Sequence, residues 1–204
     1  MQEVVGASHS NLARVKELVT RQPSLAKAAW DWGFGDWETA LGAASHVGQR
    51  EIARLLLDHG APPTIYSAAM LGQLDTVKAF IAADPSAHRR RGPHSIPLLS
   101  HALAGGPDAA GVVAYLKALG GADERLAVVP LAAEDQARVT GTYRFGSGDR
   151  DVFPLDVARD ILGLTRAGGT RRNLFCLVND ASGWTFYPVG AEAVQLVDLR
   201  RKAD

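Results

Sequence analysis

The chain holds 204 residues, enough for one large or two small domains, and its 47% apolar and 22% charged side chains match folded globular proteins and exclude a largely disordered chain. Lysine plus arginine number 22 and aspartate plus glutamate 22, so no overall field draws the protein to nucleic acid or an anionic membrane. The one cysteine excludes an internal disulfide and, lying in the apolar run Leu174 to Val178, reads as a core residue.

In chain order, Met1 to Gly6 lacks a basic stretch followed by an apolar core, and no run of 18 apolar residues follows anywhere. These features predict a soluble, cytoplasmic protein without membrane contact. The helical pattern starts at once, which leaves open a leader that has been removed. Leu12, Val15, Leu18 and Val19 fall on one face of a helix, and a shift of 62 residues lays them on Leu74, Val77, Phe80 and Ile81, with Pro23-Ser24 on Pro85-Ser86. A third copy runs from Gly48 to Ala61, ending at a glycine suited to a helix C-cap, and a fourth from Val112 to Gly121. Short helices of small residues precede them at Gly6-Ala7-Ser8, Ala43-Ala44-Ser45, Ser67-Ala68-Ala69 and Ser100-His101-Ala102.

Thr39-Ala40-Leu41-Gly42-Ala43-Ala44 followed by Gly48 to Ala61 resembles the ankyrin-repeat consensus, and the segment through His46-Val47-Gly48 is similar to one in a group of uncharacterised bacterial ankyrin proteins. The resemblance covers about 120 residues and implies a helical solenoid of about four irregular repeats over residues 1–123. Two departures stand out: Gly48 to Gly72 is too short for the usual hairpin, and the fourth copy carries extra residues near Gly105-Gly106. Two long connections remain as fingers, where the binding surface of such a stack is expected.

The first finger, Trp30-Asp31-Trp32-Gly33-Phe34-Gly35-Asp36-Trp37-Glu38, gathers three of the four tryptophans and three acids. It reads either as rings folded back on the stack or as a recognition surface built from rigid aromatic area and orienting carboxylates. The second, His88-Arg89-Arg90-Arg91-Gly92-Pro93-His94-Ser95, is basic. It is either a solvated loop, a partner for Asp31, Asp36 or Glu38, or a grip on an anionic ligand group. His46 and His101 sit near the fingers and can act with Asp31, Asp36 or Glu38 as acid and base, or serve as structural histidines. Histidines 9, 46, 59, 88, 94 and 101 lack the close spacings of metal sites, so neither a metal nor another cofactor is expected. Ser24-Leu25-Ala26-Lys27 lacks the companion motif of a serine acylase, and Gly33-x-Gly35 lacks the rest of a dinucleotide site.

Beyond Asp123 the helical repeat stops. A short helix is predicted over Leu131 to Gln136, then strands at Gly141 to Phe145, Asp151 to Val157, Ile161 to Arg166, Asn173 to Val178, Thr185 to Val189 and Ala193 to Leu199, a small antiparallel sheet or half-barrel domain over 124–204. Val139-Thr140-Gly141-Thr142-Tyr143 resembles the first strand of small β domains appended to serine β-lactamase-like hydrolases, which implies an accessory domain and no catalytic residue. Trp184, Phe186 and Tyr187 read as core. The fold class expected is α+β. The function expected is a module that binds a protein partner through Trp30, Asp31, Trp32, Phe34, Asp36, Trp37, Glu38, His46, Arg89, Arg90, Arg91 and His94, without nucleic acid. The alternative is an enzyme or small-molecule binder with Asp36, Glu38 and His46 in a pocket between the fingers and the β domain.

Overall fold

A computed structural model describes residues 1–32, 36–124, 127–144, 147–148, 152–165, 171–188 and 197–200. The protein is mixed helix and sheet, with a curled six-strand antiparallel half-barrel at its carboxy terminus. Its residues cluster into two compact units, one of Met1–Trp32 with Asp36–Arg125 and the other holding Leu126–Asp204.

The first unit is a run of helix pairs: α1 (Gln2–Ala7) with α2 (Leu12–Arg21), α3 (Ala40–His46) with α4 (Arg50–Asp58), α5 (Ile65–Met70) with α6 (Leu74–Ala83), and α7 (Leu98–Ala104) with α8 (Ala110–Leu119). Side chains start several of them. Asn11 accepts a hydrogen bond from the Arg14 amide, Thr39 from Gly42, and Thr64 forms a reciprocal capping box with Ser67, each satisfying amides that a helix start leaves orphaned. The first helix of each pair carries the small residues read from the sequence, and Ala43, Ala44, Ala68, Ala69 and Ala102 are fully buried, which lets α1, α3, α5 and α7 pack side by side. Val15, Val19, Ile52, Leu56, Val77, Val112 and Leu116 from the second helices complete the core.

The irregular middle of this unit has a specific fastening. Arg50, at the start of α4, donates from Nη1 to the Met70 carbonyl at 2.7 Å and to that of Gly105 at 3.3 Å, and from Nη2 to Leu71 at 3.0 Å. One guanidinium thus serves carbonyls at the ends of both α5 and α7, where helices leave acceptors orphaned and favour positive charge. Gly48, in the turn between α3 and α4, has φ +78°, and an added Cβ would lie 2.2 Å from the Ala104 carbonyl oxygen. Glycine is required there both for the left-handed backbone and for the close approach.

The second unit opens with α9 (Ala133–Val139), two residues later than the sequence pattern suggests. Six strands follow: β3 (Gly141–Arg144), β4 (Val152–Ala158), β5 (Ile161–Leu164), β6 (Arg172–Asp180), β7 (Gly183–Pro188) and β8 (Val197–Arg200). Each pairs antiparallel with the next, so the described strands form a meander in chain order. Phe145, Asp151, Arg166, Val189 and residues 193–196, expected at strand ends, lie outside the described residues. Alternation sets the core: Trp184 faces Leu199 and Phe186 faces Val197 across β7 and β8, and these pack with Leu155, Leu162, Leu164, Leu174 and Cys176. Tyr187 is buried as well. Burial pushes the Cys176 thiol up, consistent with a packing role.

In the first unit, His101 links packing to pH. It is fully buried in α7, its Nδ1 lies 3.0 Å from the Pro97 carbonyl, and burial lowers its pKa from 6.5 to about 4. The folded state therefore resists a proton that the unfolded chain accepts. Stability present above pH 6.5 is expected to fall as the pH drops toward 4, by roughly 3 kcal/mol in total. Urea unfolding at stepped pH should show this loss, and His101→Asn, which keeps a donor near Nδ1 but does not titrate, should flatten it. An unchanged slope in the variant would place the acid sensitivity elsewhere.

Candidate functional site

The first finger enters through β1 (Ala29–Asp31) and returns through β2 (Trp37–Thr39), paired antiparallel with Trp30 opposite Glu38 and Asp31 opposite Trp37. Strand alternation sends successive side chains to opposite faces. Trp37 is accordingly 64% exposed while its neighbour Glu38 is 0% exposed. Trp30 and Trp32 are half-buried and pack against the core of the first two helix pairs. The expected aromatic and acidic surface is therefore divided: Trp37 faces solvent, Asp31 is half-buried, and Asp36 and Glu38 point inward. Phe34 lies outside the described residues.

In the second finger, Arg89 and Arg90 are exposed and pair with Glu124 and Asp84. Of the readings open to this loop, pairing with Asp31, Asp36 or Glu38 is therefore not made by these two arginines, which meet Glu124 and Asp84. Arg91 forms an isolated bridge with Pro97. The two fingers meet instead through His94. Its backbone amide donates to Asp36 Oδ1 at 3.1 Å, and its Nδ1 lies 2.8 Å from Asp36 Oδ2. To reach this position His94 adopts φ 55° and ψ 25°, a left-handed conformation that costs a non-glycine residue about 1–2 kcal/mol. Gly42 makes room for it. A Cβ on Gly42 would stand 2.8 Å from Cγ of Pro93, so the absence of a side chain at this position lets the second finger seat on α3.

Four side chains converge here from four segments. Glu38 Oε1 lies 2.9 Å from His46 Nε2, at the end of α3, and 3.2 Å from His94 Nε2. His9 Nε2, from the turn after α1, lies 3.2 Å from His46 Nε2 and 3.5 Å from Glu38 Oε2. Trp32 Nε1 donates to Oε2 at 2.7 Å. Oε1 is buried, and neither imidazole contact has the alignment of a hydrogen bond to it. Burial alone would raise the Glu38 carboxyl, but its contacts with His46 and His94, the charge of His94 and the Trp32 hydrogen bond outweigh it and hold the group at about 2. Asp36, then Glu38, raises His94 to about 9 against the effect of its burial. The arrangement is suited to sharing a proton or to holding a cation, with three imidazole nitrogens and one carboxylate as ligands.

Sequence reading brings Asp36, Glu38, His46 and His94 forward and misses His9. It also argues against a metal from local spacing, which carries no information about ligands drawn together from residues 9, 38, 46 and 94. One signal was present: Ala-Ser-His occurs at 7–9 and again at 44–46. In both copies the serine is buried and donates to the carbonyl four residues back, at Val4 and Leu41, so the triplets occupy similar helix ends. His101, considered with His46 as an acid or base, instead lies in the core against Pro97 and Tyr66.

Residues 36–67 match the family model of the ankyrin repeat. The match supports an ankyrin-repeat protein. It spans Asp36, Glu38, α3, α4 and the start of α5, the second helix pair with half of the converging groups. No curated protein and no solved structure matches the chain. Among the described residues, no helix is long and apolar enough to cross a membrane.

Gly42→Ala tests how the second finger is seated. The added methyl overpacks against the Pro93 ring, and a loss of about 1–3 kcal/mol is expected in urea unfolding. In the folded variant the imidazole resonances of His94 should shift while those of His59 stay in place. An unperturbed His94 would show that Gly42 does not position it.

Proposed function

We propose that residues 1–123 form an ankyrin-repeat domain of about four irregular repeats, that residues 124–204 form a separate small β domain, and that the protein works as a binding module for a protein partner. The ankyrin match supports an interaction role, since stacked repeats bury their helices against one another and leave loops for recognition. The observation that carries the placement of the surface is Trp37. A 64% exposed tryptophan beside packed neighbours offers a large, rigid anchor of the kind that dominates interface energetics. Arg89 and Arg90, exposed on the second finger, supply charge that steers a partner more than it holds one.

Capture of partners from a native lysate by the whole protein tests the reading. Trp37→Ala is expected to weaken capture by at least about tenfold, the loss of a modest anchor of 2 kcal/mol or so. Arg90→Ala should act mainly on the association rate and its salt dependence. An identical set of captured proteins with wild type and Trp37→Ala would overturn this surface.

A second reading, a small-ligand binder using Asp36, Glu38 and His46, draws its support from the 2.9 Å approach of His46 Nε2 to the buried Glu38 carboxylate. Metabolite panels scored by thermal shift, with His46→Ala as control, test it without reference to Trp37.

A further inference from the structure

We propose that His9, Glu38, His46 and His94 form a binding site for one divalent first-row transition-metal ion, with zinc as the reference ion. The site is independent of whether the fingers hold a protein partner.

The geometry of the ligand atoms carries the inference. One ring nitrogen from each of His9, His46 and His94 and one Glu38 oxygen all lie within 4.8 Å of one another. Four ligands about 2.1 Å from a tetrahedral zinc stand about 3.4 Å apart. The approaches of 2.9 and 3.2 Å from His46 and His94 to Glu38 Oε1, and of 3.2 Å between His9 and His46, lie within about half an ångström of that spacing. Oε1 of Glu38 adds an independent observation, because this fully buried carboxylate oxygen accepts no aligned hydrogen bond. A proton on one imidazole serves only one or two of the four atoms. A cation at their centre serves all of them.

The surroundings orient the rings as ligands. His94 Nδ1 contacts Asp36 Oδ2 at 2.8 Å, and His9 Nδ1 contacts the Gly6 carbonyl at 3.1 Å. With a proton on each Nδ1, both Nε2 lone pairs face the cluster, the outer arrangement that metal-binding histidines use. Trp32 occupies the second carboxylate oxygen and leaves Oε1 for the ion. The left-handed backbone at His94 is the kind of local strain retained where a side chain must be aimed. His9 and His94 are 28% and 25% exposed at their side chains, against 11% for His46 and 0% for Glu38, so an ion has a solvent side from which to enter. Three imidazoles and one carboxylate favour zinc and its first-row neighbours over magnesium or calcium, which take oxygen ligands.

The test uses tag-free whole protein, stripped with chelator, given Zn²⁺ or Co²⁺ and passed over a desalting column. One equivalent of metal by elemental analysis is expected, with visible cobalt bands of four-coordinate intensity and a raised melting temperature. His46→Ala and His9→Ala should each abolish retention, Asp36→Asn should weaken affinity about 10- to 100-fold, and His59→Ala and Trp37→Ala should retain a full equivalent. If His46→Ala does not fold by circular dichroism, His9→Ala decides alone, because its side chain is partly exposed in a turn. Absence of stoichiometric metal in the wild type, or equal retention by wild type and a folded His9→Ala, would overturn the site.

Discussion

A carboxylate taken fully out of water sets the terms for the first unit. Glu38 sits at 0% exposure on β2, one residue from the solvent-facing Trp37, and strand alternation alone turns it inward. Removing a charge from water costs several kcal/mol unless the protein replaces the lost hydration. Replacement comes from Trp32 on the same finger, His46 at the end of α3, His9 after α1 and His94 from the second finger. Segments separated by up to 85 positions must therefore be in register for one acid to stay buried. That requirement links the two fingers to the first two helix pairs.

The rest of the unit supplies the precision. Buried alanines let the inner helices approach, Arg50 holds the ends of α5 and α7 together, and Gly42 leaves space for Pro93 so that His94 can reach Asp36. Such supports rank with the polar groups themselves, since a ring displaced by an ångström loses its contact with Glu38. The second unit is organised differently. Its meander pairs each strand with the next, and its core follows from alternation along β6, β7 and β8.

Much of this was legible in the chain. The amphipathic stripes at Leu12 to Val19, Gly48 to Ala61, Leu74 to Ile81 and Val112 to Gly121 correspond to α2, α4, α6 and α8, because a helix face against a neighbour imposes its period on the sequence. The small-residue segments correspond to α1, α3, α5 and α7 for an equally local reason. Trp184, Phe186 and Tyr187 read correctly as core. The fingers read less well. Composition marked Trp30 to Glu38 as unusual but gave no way to separate Trp37 outside from Asp36 and Glu38 inside, since that depends on the register of two three-residue strands.

By itself, then, the sequence determined the helix pairs, the strand-rich end and the residues that make the fingers unusual, all of which rest on periodicity or local composition. Tertiary structure decided that Arg89 and Arg90 turn to Glu124 and Asp84, that His94 is the residue joining the fingers, and that His9 belongs to the same cluster as Glu38 and His46. These outcomes depend on distances between segments far apart in the chain. Spacing along the backbone does not encode such distances, which is why histidines at 9, 46 and 94 looked unrelated until folding placed their Nε2 atoms around one carboxylate.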